Sequence, residues 1–183
     1  MLTLLQSIVV FLSCSVSSKQ SQKTGYSSMN KSTQDVLEHS ADGLASTRNT
    51  LPMVLLRARE ALMERLRPVL HAHEITEQQW RVIRILREEG CTDATSLAEM
   101  GCILPPSLTR MLKNLESRNL VMMEKDASDG RRRLVSLTPE GFDLIEKISP
   151  QINVINLEIE EMLGRSMMSG LLTELNGLLK KFD

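Results

Sequence analysis

Apolar positions recur with a helical period over most of this chain and switch to strand-like runs once, near its middle. From Leu51 onward, Val54, Leu55, Ala58, Ala61, Leu62, Leu66, Val69 and Leu70 follow helical spacing, with Arg57, Arg59, Glu60, Glu64, Arg65 and Arg67 between them. Pro68 is expected to bend this helix or break its hydrogen-bond ladder. Thr76-Glu77-Gln78-Gln79 reads as a capping box opening a second helix, which carries Trp80, Val82, Ile83, Ile85 and Leu86 and stops at Gly90. Residues 91–94 suit a short strand. Ser96 to Met100 then form a short helix, with Gly101 as the turn and Ile103 and Leu104 plugging the space between helices. Pro105 and Pro106 open the next helix, where a missing N–H costs little. Its apolar stripe is Leu108, Met111, Leu112 and Leu115; the other side presents Ser107, Arg110, Lys113, Asn114 and Ser117, with Thr109 at the border.

The strand period follows at once. Val121-Met122-Met123-Glu124-Lys125 and Arg133-Leu134-Val135-Ser136-Leu137 are two runs of strand length, joined across Asp129-Gly130, a turn signal. Thr138 and Pro139 start a further helix, with Glu140 placed favourably against the positive end of its dipole. Within it Ile148, Ile152, Ile155, Ile159 and Met162 alternate four and three apart, a heptad seam. After a break at residues 164–166, Met168, Leu171, Leu172, Leu175, Leu178, Leu179 and Phe182 repeat the idea. A small winged-helix body needs neither helix for its own core, so a second subunit is expected to cover them; closure within one chain is the alternative.

The first fifty residues belong to a different object. Residues 1–12 are largely apolar but too short to span a membrane, and no Lys or Arg precedes Lys19 as a secretory signal requires. Residues 13–50 are rich in Ser, Thr, Gln and Lys. Either residues 1–50 are a poorly ordered extension, or they are upstream sequence carried in by a wrong start site, with Met29 or Met53 the true start.

Composition agrees with helices: 183 residues, 42% apolar, 3% aromatic and 11 Met. The net charge of −1 argues against a polycation that coats nucleic acid. Its distribution says more, since residues 105–133 carry +3 and residues 140–183 carry −4. Such a basic middle steers one face toward an anionic partner. Cys14, Cys91 and Cys102 have no metal-ligand spacing, and an odd count argues against a disulfide framework, so a reducing cytoplasm is expected. No Ser/His/Asp set, phosphate-cradling glycine loop or metal cluster is present in the sequence, which excludes a catalytic reading and implies no cofactor.

A compact helix pair followed by a basic hairpin is a winged helix-turn-helix. The fold expected is mainly α, with residues 76–137 as the DNA-binding domain and residues 51–75 and 138–183 as dimerisation helices. Arg110 and Asn114 are expected at base edges, and Ser107, Thr109, Lys113 and Arg118 at phosphates. An arginine at the hairpin tip fits a narrow minor groove; Arg131 is the first choice and Arg132 the second. Asp129 would be repelled by phosphate, so its role is to orient Arg131 or a neighbouring arginine. A twofold dimer would then read an inverted repeat in double-stranded DNA.

These motifs resemble the MarR family of transcriptional regulators over residues 51–182. The carriers are the Asp129-Gly130-Arg131 wing signature and Leu137-Thr138-Pro139-Glu140-Gly141 at the following helix. LLRAREALMERLRPVL, TEQQWRVIRIL and CILPPSLTRML are similar to the branch that regulates homoprotocatechuate (4-hydroxyphenylacetate) degradation operons. Departures are the N-terminal extension, Pro105 where that branch commonly has arginine, and Gly130 at a variable wing position. The resemblance implies a homodimeric repressor of an aromatic-catabolism operon, released from DNA by a phenolic acid. Such a ligand needs a fixed cation and an apolar slot, for which Arg59, Arg67 and Trp80 are candidates, with His71 and His73 for the phenol hydroxyl. Two rivals remain: a hydroxycinnamate or its coenzyme A thioester as effector, and a redox sensor using Cys91 or Cys102. Cys102 is expected to be buried beside Ile103 and Leu104, which weakens the latter.

Overall fold

The computed structural model describes residues 47–129 and 132–182. The expectations for most of the N-terminal extension, and for Gly130 and Arg131, lie outside these residues. The chain divides into two compact units at Arg65/Leu66. In the first, a 3-10 turn at Thr47–Asn49 leads into the part of helix α1 (Leu51–Ala72) that ends at Arg65, where Leu51, Val54, Leu55 and Leu56 are exposed and Arg59 pairs with Glu60 at 2.7 Å; the rest of the helix belongs to the second unit. Helix α1 continues through Pro68 rather than breaking there. Glu64 and Pro68 are both exposed, so water can satisfy the carbonyl that the proline frees.

The second unit holds α2 (Glu77–Glu89), β1 (Thr92–Asp93), α3 (Ala94–Met100), α4 (Pro105–Ser117), β2 (Val121–Lys125), β3 (Arg133–Leu137), α5 (Pro139–Leu163) and α6 (Arg165–Leu179). The sheet is antiparallel with order β1-β3-β2, and Val121 pairs with Leu137 through to Lys125 with Arg133. Helix α2 packs against α3, β3 and α5 and buries Val82, Ile83, Ile85 and Leu86. Leu97, Leu108, Leu112, Leu115, Val121, Val135 and Ile148 complete the core.

Local chemistry explains the element ends. Thr76 Oγ1 accepts from the Gln79 N–H at 3.2 Å while Gln79 Oε1 accepts from the Thr76 N–H at 2.9 Å, a complete capping box. Two details of the helix-turn-helix differ from expectation. Gly101 does stand in the turn, with right-handed backbone, and the left-handed residue beside it is Cys102, at φ 48°. Gly101 is needed for space instead, because a Cβ there would meet the Leu97 carbonyl at 3.0 Å and Ile103 Cδ1 at 3.1 Å. Ile103 alone fills the gap between α3 and α4, and Leu104 is 75% exposed. Cys102 is exposed rather than buried, because its left-handed backbone lies just before the inward-facing Ile103.

Asp93 joins three parts of this unit. Its backbone belongs to β1, and its carboxylate caps α3, accepting from the N–H groups of Thr95 at 3.0 Å and Ser96 at 3.1 Å and from Ser96 Oγ at 2.8 Å. The same carboxylate accepts from Arg132 Nη2 at 2.8 Å, docking the wing. The Ser96 hydrogen bonds, with that guanidinium, hold the Asp93 carboxyl well below the usual carboxylate range, and Asp93 in turn raises Arg132.

Gly141 explains why the helix opens with the Thr138-Pro139-Glu140-Gly141 run. Thr138 Oγ1 donates to the Asn119 carbonyl at 2.6 Å and accepts from the Gly141 N–H at 3.1 Å, pulling the first turn of α5 onto the end of α4. A Cβ on Gly141 would lie 2.2 Å from the Leu120 carbonyl oxygen. Beyond, α5 buries Ile148, Ile152 and Ile159, while Val154, Leu157 and Met162 are exposed. No residue of α6 is buried, and Met167, Leu171 and Leu179 lie open on it.

Two measurements check these contacts. Gly141→Ala should lower stability by about 1–3 kcal/mol in urea unfolding, since backbone rather than a movable side chain blocks the new methyl. Asp93→Asn keeps the cap but removes the charge. The Asp93 carboxyl is depressed in the folded state, so its stabilisation is present above the unfolded value near ~3.9 and fades as pH falls below it. The wild type should therefore lose stability between about pH 4 and lower pH more steeply than Asp93→Asn in acid titrations followed by circular dichroism. Equal slopes would disconnect Asp93 from the acid response.

Candidate nucleic-acid interface

Helix α4 is amphipathic for the reason its sequence suggested: Leu108, Leu112 and Leu115 are buried, and Ser107, Thr109, Arg110, Lys113 and Asn114 are exposed. Two side chains of α2 hold the pair α3–α4 in place. Arg81 Nη1 donates to the Gly101 carbonyl in the turn at 2.8 Å. The buried Gln79 donates from Nε2 to Asn114 Oδ1 at 2.7 Å, so the capping box of α2 also grips the exposed helix.

The residues expected to touch DNA divide by what already holds them. Ser107, Arg110 and Lys113 project from α4 into solvent. Thr109 is exposed but bonds back to the Pro105 carbonyl at 3.0 Å. Asn114 has given its carbonyl oxygen to Gln79 and keeps its amide N–H groups. Arg118 donates from Nη1 to the Glu74 carbonyl at 2.7 Å, closing the end of α4 onto the turn before α2. Arg132 is held by Asp93 and lies 3.9 Å from Asp126. Asp126 itself bonds the Ser128 hydroxyl at 2.7 Å and the Ser128 N–H at 2.8 Å, and these bonds hold its carboxyl below the usual range. Asp93 and Asp126 thus both lie against the Arg132 guanidinium. The Asp129 backbone carbonyl accepts from the Arg132 N–H at 2.8 Å. Asp93 carried no motif in the sequence; its position before Thr95 and Ser96 as a cap was the available signal.

A cavity of about 440 Å³ lies between α2 and α5, lined by Arg84, Arg87, Glu88, Ile145, Glu146, Ser149, Pro150 and Asn153. Arg84 is 8% exposed and its Nη2 donates to Glu88 at 2.9 Å. Ser149 Oγ is buried without a hydrogen-bond partner, and so is Trp80 Nε1, one turn before Arg84. Arg87 stacks over the Phe142 ring at 5.3 Å. Sequence reasoning missed Arg84, because it falls in an apolar run and reads as the charged face of a helix. None of the expected effector residues lines this cavity. Arg59 pairs with Glu60, Arg67 Nε pairs with Glu77, His71 is exposed, His73 Nε2 lies 3.0 Å from Gln151 Nε2, and Trp80 is buried. Among the described residues there is no cluster able to hold a metal ion, and no helix is long and apolar enough to cross a membrane.

Comparison with known proteins agrees with this geometry. Residues 75–132 match the MarR family. The HTH-type transcriptional regulator FarR of Neisseria gonorrhoeae is 47% identical over 62% of this chain and 78% of its own length. The homoprotocatechuate degradative operon repressor of Escherichia coli is 40% identical over 73% of this chain and 88% of its own. The crystal structure of NadR in complex with 4-hydroxyphenylacetate is 43% identical, covers 76% of this chain and 99% of that one, and superposes with a TM-score of 0.66. Helix pair, docked wing and sequence likeness together place this chain in the MarR family, whose members are transcriptional regulators and not enzymes.

Proposed function

We propose that the chain is a homodimeric, ligand-responsive repressor that binds an inverted repeat and leaves it when a small phenolic carboxylate binds. One observation carries the DNA reading: Ser107, Arg110 and Lys113 project from a helix whose other face is locked into the core and whose C-terminal end is pinned by Gln79 and Arg118. In this reading Arg110 and the free amide of Asn114 meet base edges, and Ser107, Thr109 and Lys113 meet phosphates. Arg118 and Arg132 shape the surface, and Arg131 is the arginine this reading assigns to the minor groove. The open apolar sides of α5 and α6 support pairing with a second copy, as do Leu51, Val54, Leu55 and Leu56 on α1. A twofold pair sets the two α4 helices about 34 Å apart along the duplex.

For the effector, the relatives named for homoprotocatechuate degradation and for 4-hydroxyphenylacetate point to a one-ring acid. In this proposal Arg84 takes the carboxylate in place of Glu88, and the Ser149 hydroxyl supplies a donor and acceptor that is otherwise unmet. Arg59, Arg67 and His71, the residues expected from sequence, do not line this cavity, so Arg84 is preferred for that role.

Two experiments follow. Lys113→Ala should weaken binding to specific and random duplex alike and flatten the salt dependence of log K by about one charge in fluorescence anisotropy. An unchanged slope removes Lys113 from the phosphate contacts. Arg84→Gln should bind 4-hydroxyphenylacetate about 10- to 100-fold more weakly in calorimetry, the loss expected for a charged hydrogen bond. Wild-type affinity in that variant would move the effector site elsewhere.

A further inference from the structure

The tip of α4 is apolar and stands in water, and no contact among the described residues explains it. Leu104 is 75% exposed at the N-cap position, where Ser, Thr, Asp or Asn would satisfy an orphan N–H, and no side-chain cap is made. Ile103, buried beside it, already fills the space between α3 and α4. Pro105 and Pro106 follow, both exposed, and neither carries an N–H. A helix start that grips phosphate presents free N–H groups; this one has had two removed and a leucine added.

We propose that Leu104, flanked by Pro105 and Pro106, reads the 5-methyl group of thymine in the major groove of the operator. This deepens the DNA reading of α4 and rests on it. The N-terminal residues of a recognition helix are those that reach base edges, and the thymine methyl is the apolar group that those edges display. The tip is followed on α4 by Arg110 and Lys113, whose charges complement duplex phosphates and not an apolar protein surface. Leu104 is therefore a specificity residue: it excludes water from a methyl group at one position of each half-site.

The test uses the full chain and a duplex selected by it from a randomised pool. Each thymine of the selected half-site is replaced in turn by deoxyuridine, which lacks only the methyl. At one or two positions affinity should fall about fourfold per half-site, and about fifteenfold when both halves are changed, as expected for one methyl group returned to water. Leu104→Ala should weaken the thymine duplex by a similar factor and bind thymine and uracil duplexes equally, while Leu104→Met keeps the discrimination. The proposal is overturned if no thymine position responds to uracil, or if Leu104→Ala still discriminates. It is also overturned if Leu104→Ala changes the subunit assembly in sedimentation and leaves DNA affinity intact, since the tip would then contact protein. Failure to select any sequence would instead overturn the DNA reading on which it rests.

Discussion

The reading surface depends on one carboxylate. Asp93 ends a two-residue strand, caps the first helix of the helix-turn-helix and anchors the wing arginine, so three elements with no covalent reason to agree share one acceptor. A two-residue strand has little pairing of its own, and a seven-residue helix is too short to be stable alone. Each is ordered by what Asp93 ties it to. The ion pair with Arg132 is half-exposed, and an exposed pair alone contributes little. Its value here is directional: a planar guanidinium held by a fixed acceptor aims the wing.

That arrangement changes how the basic residues should be counted. A raw tally of positive charge over the helix and hairpin treats Arg110, Lys113, Arg118 and Arg132 as equivalent. The geometry separates them. Arg118 satisfies a backbone carbonyl in the preceding turn and Arg132 an internal carboxylate, whereas Arg110 and Lys113 project from the helix into solvent. A cation already satisfied gains less from a phosphate than one taken from water, because the first partner must be given up. Asn114 is an intermediate case, with its oxygen bound to Gln79 and its two amide hydrogens available.

Much of this architecture was legible in the sequence, and what was legible was local. The capping box at Thr76–Gln79 and both strands of the hairpin emerged with the expected residues, because caps and strand periods are set by neighbours a few positions apart. What escaped depended on distance in sequence. Arg132 meets an aspartate 39 positions away, Gln79 an asparagine 35 away, and Arg84 a cavity whose far wall is α5. The turn shows a subtler failure. Cys102 and Leu104 were both assigned to the interior by residue type, but the chain places Cys102 at a left-handed angle with its side chain exposed and Leu104 outside. Gly101 was required by close packing, for which one sequence carries no separate signal.

Helix α2 gives the proposed regulation a physical route. Its first turn holds Asn114 on the reading helix through Gln79, and its last turns hold Arg84 and Glu88 at the cavity. An acid that displaces Glu88 from Arg84 exchanges one charged partner for another, so net affinity comes from the ring and from the unmet Ser149 hydroxyl. Release from DNA then requires that the acid prefer a form of the dimer in which α4 is misplaced, and the reciprocal holds: operator must weaken the acid by the same factor. A helix gripping both sites is suited to that coupling because it moves as a unit, whereas a loop would absorb the displacement. An effector bound only to the outer helices would lack this lever, which is why the burial of Arg84 on α2 matters more than its charge.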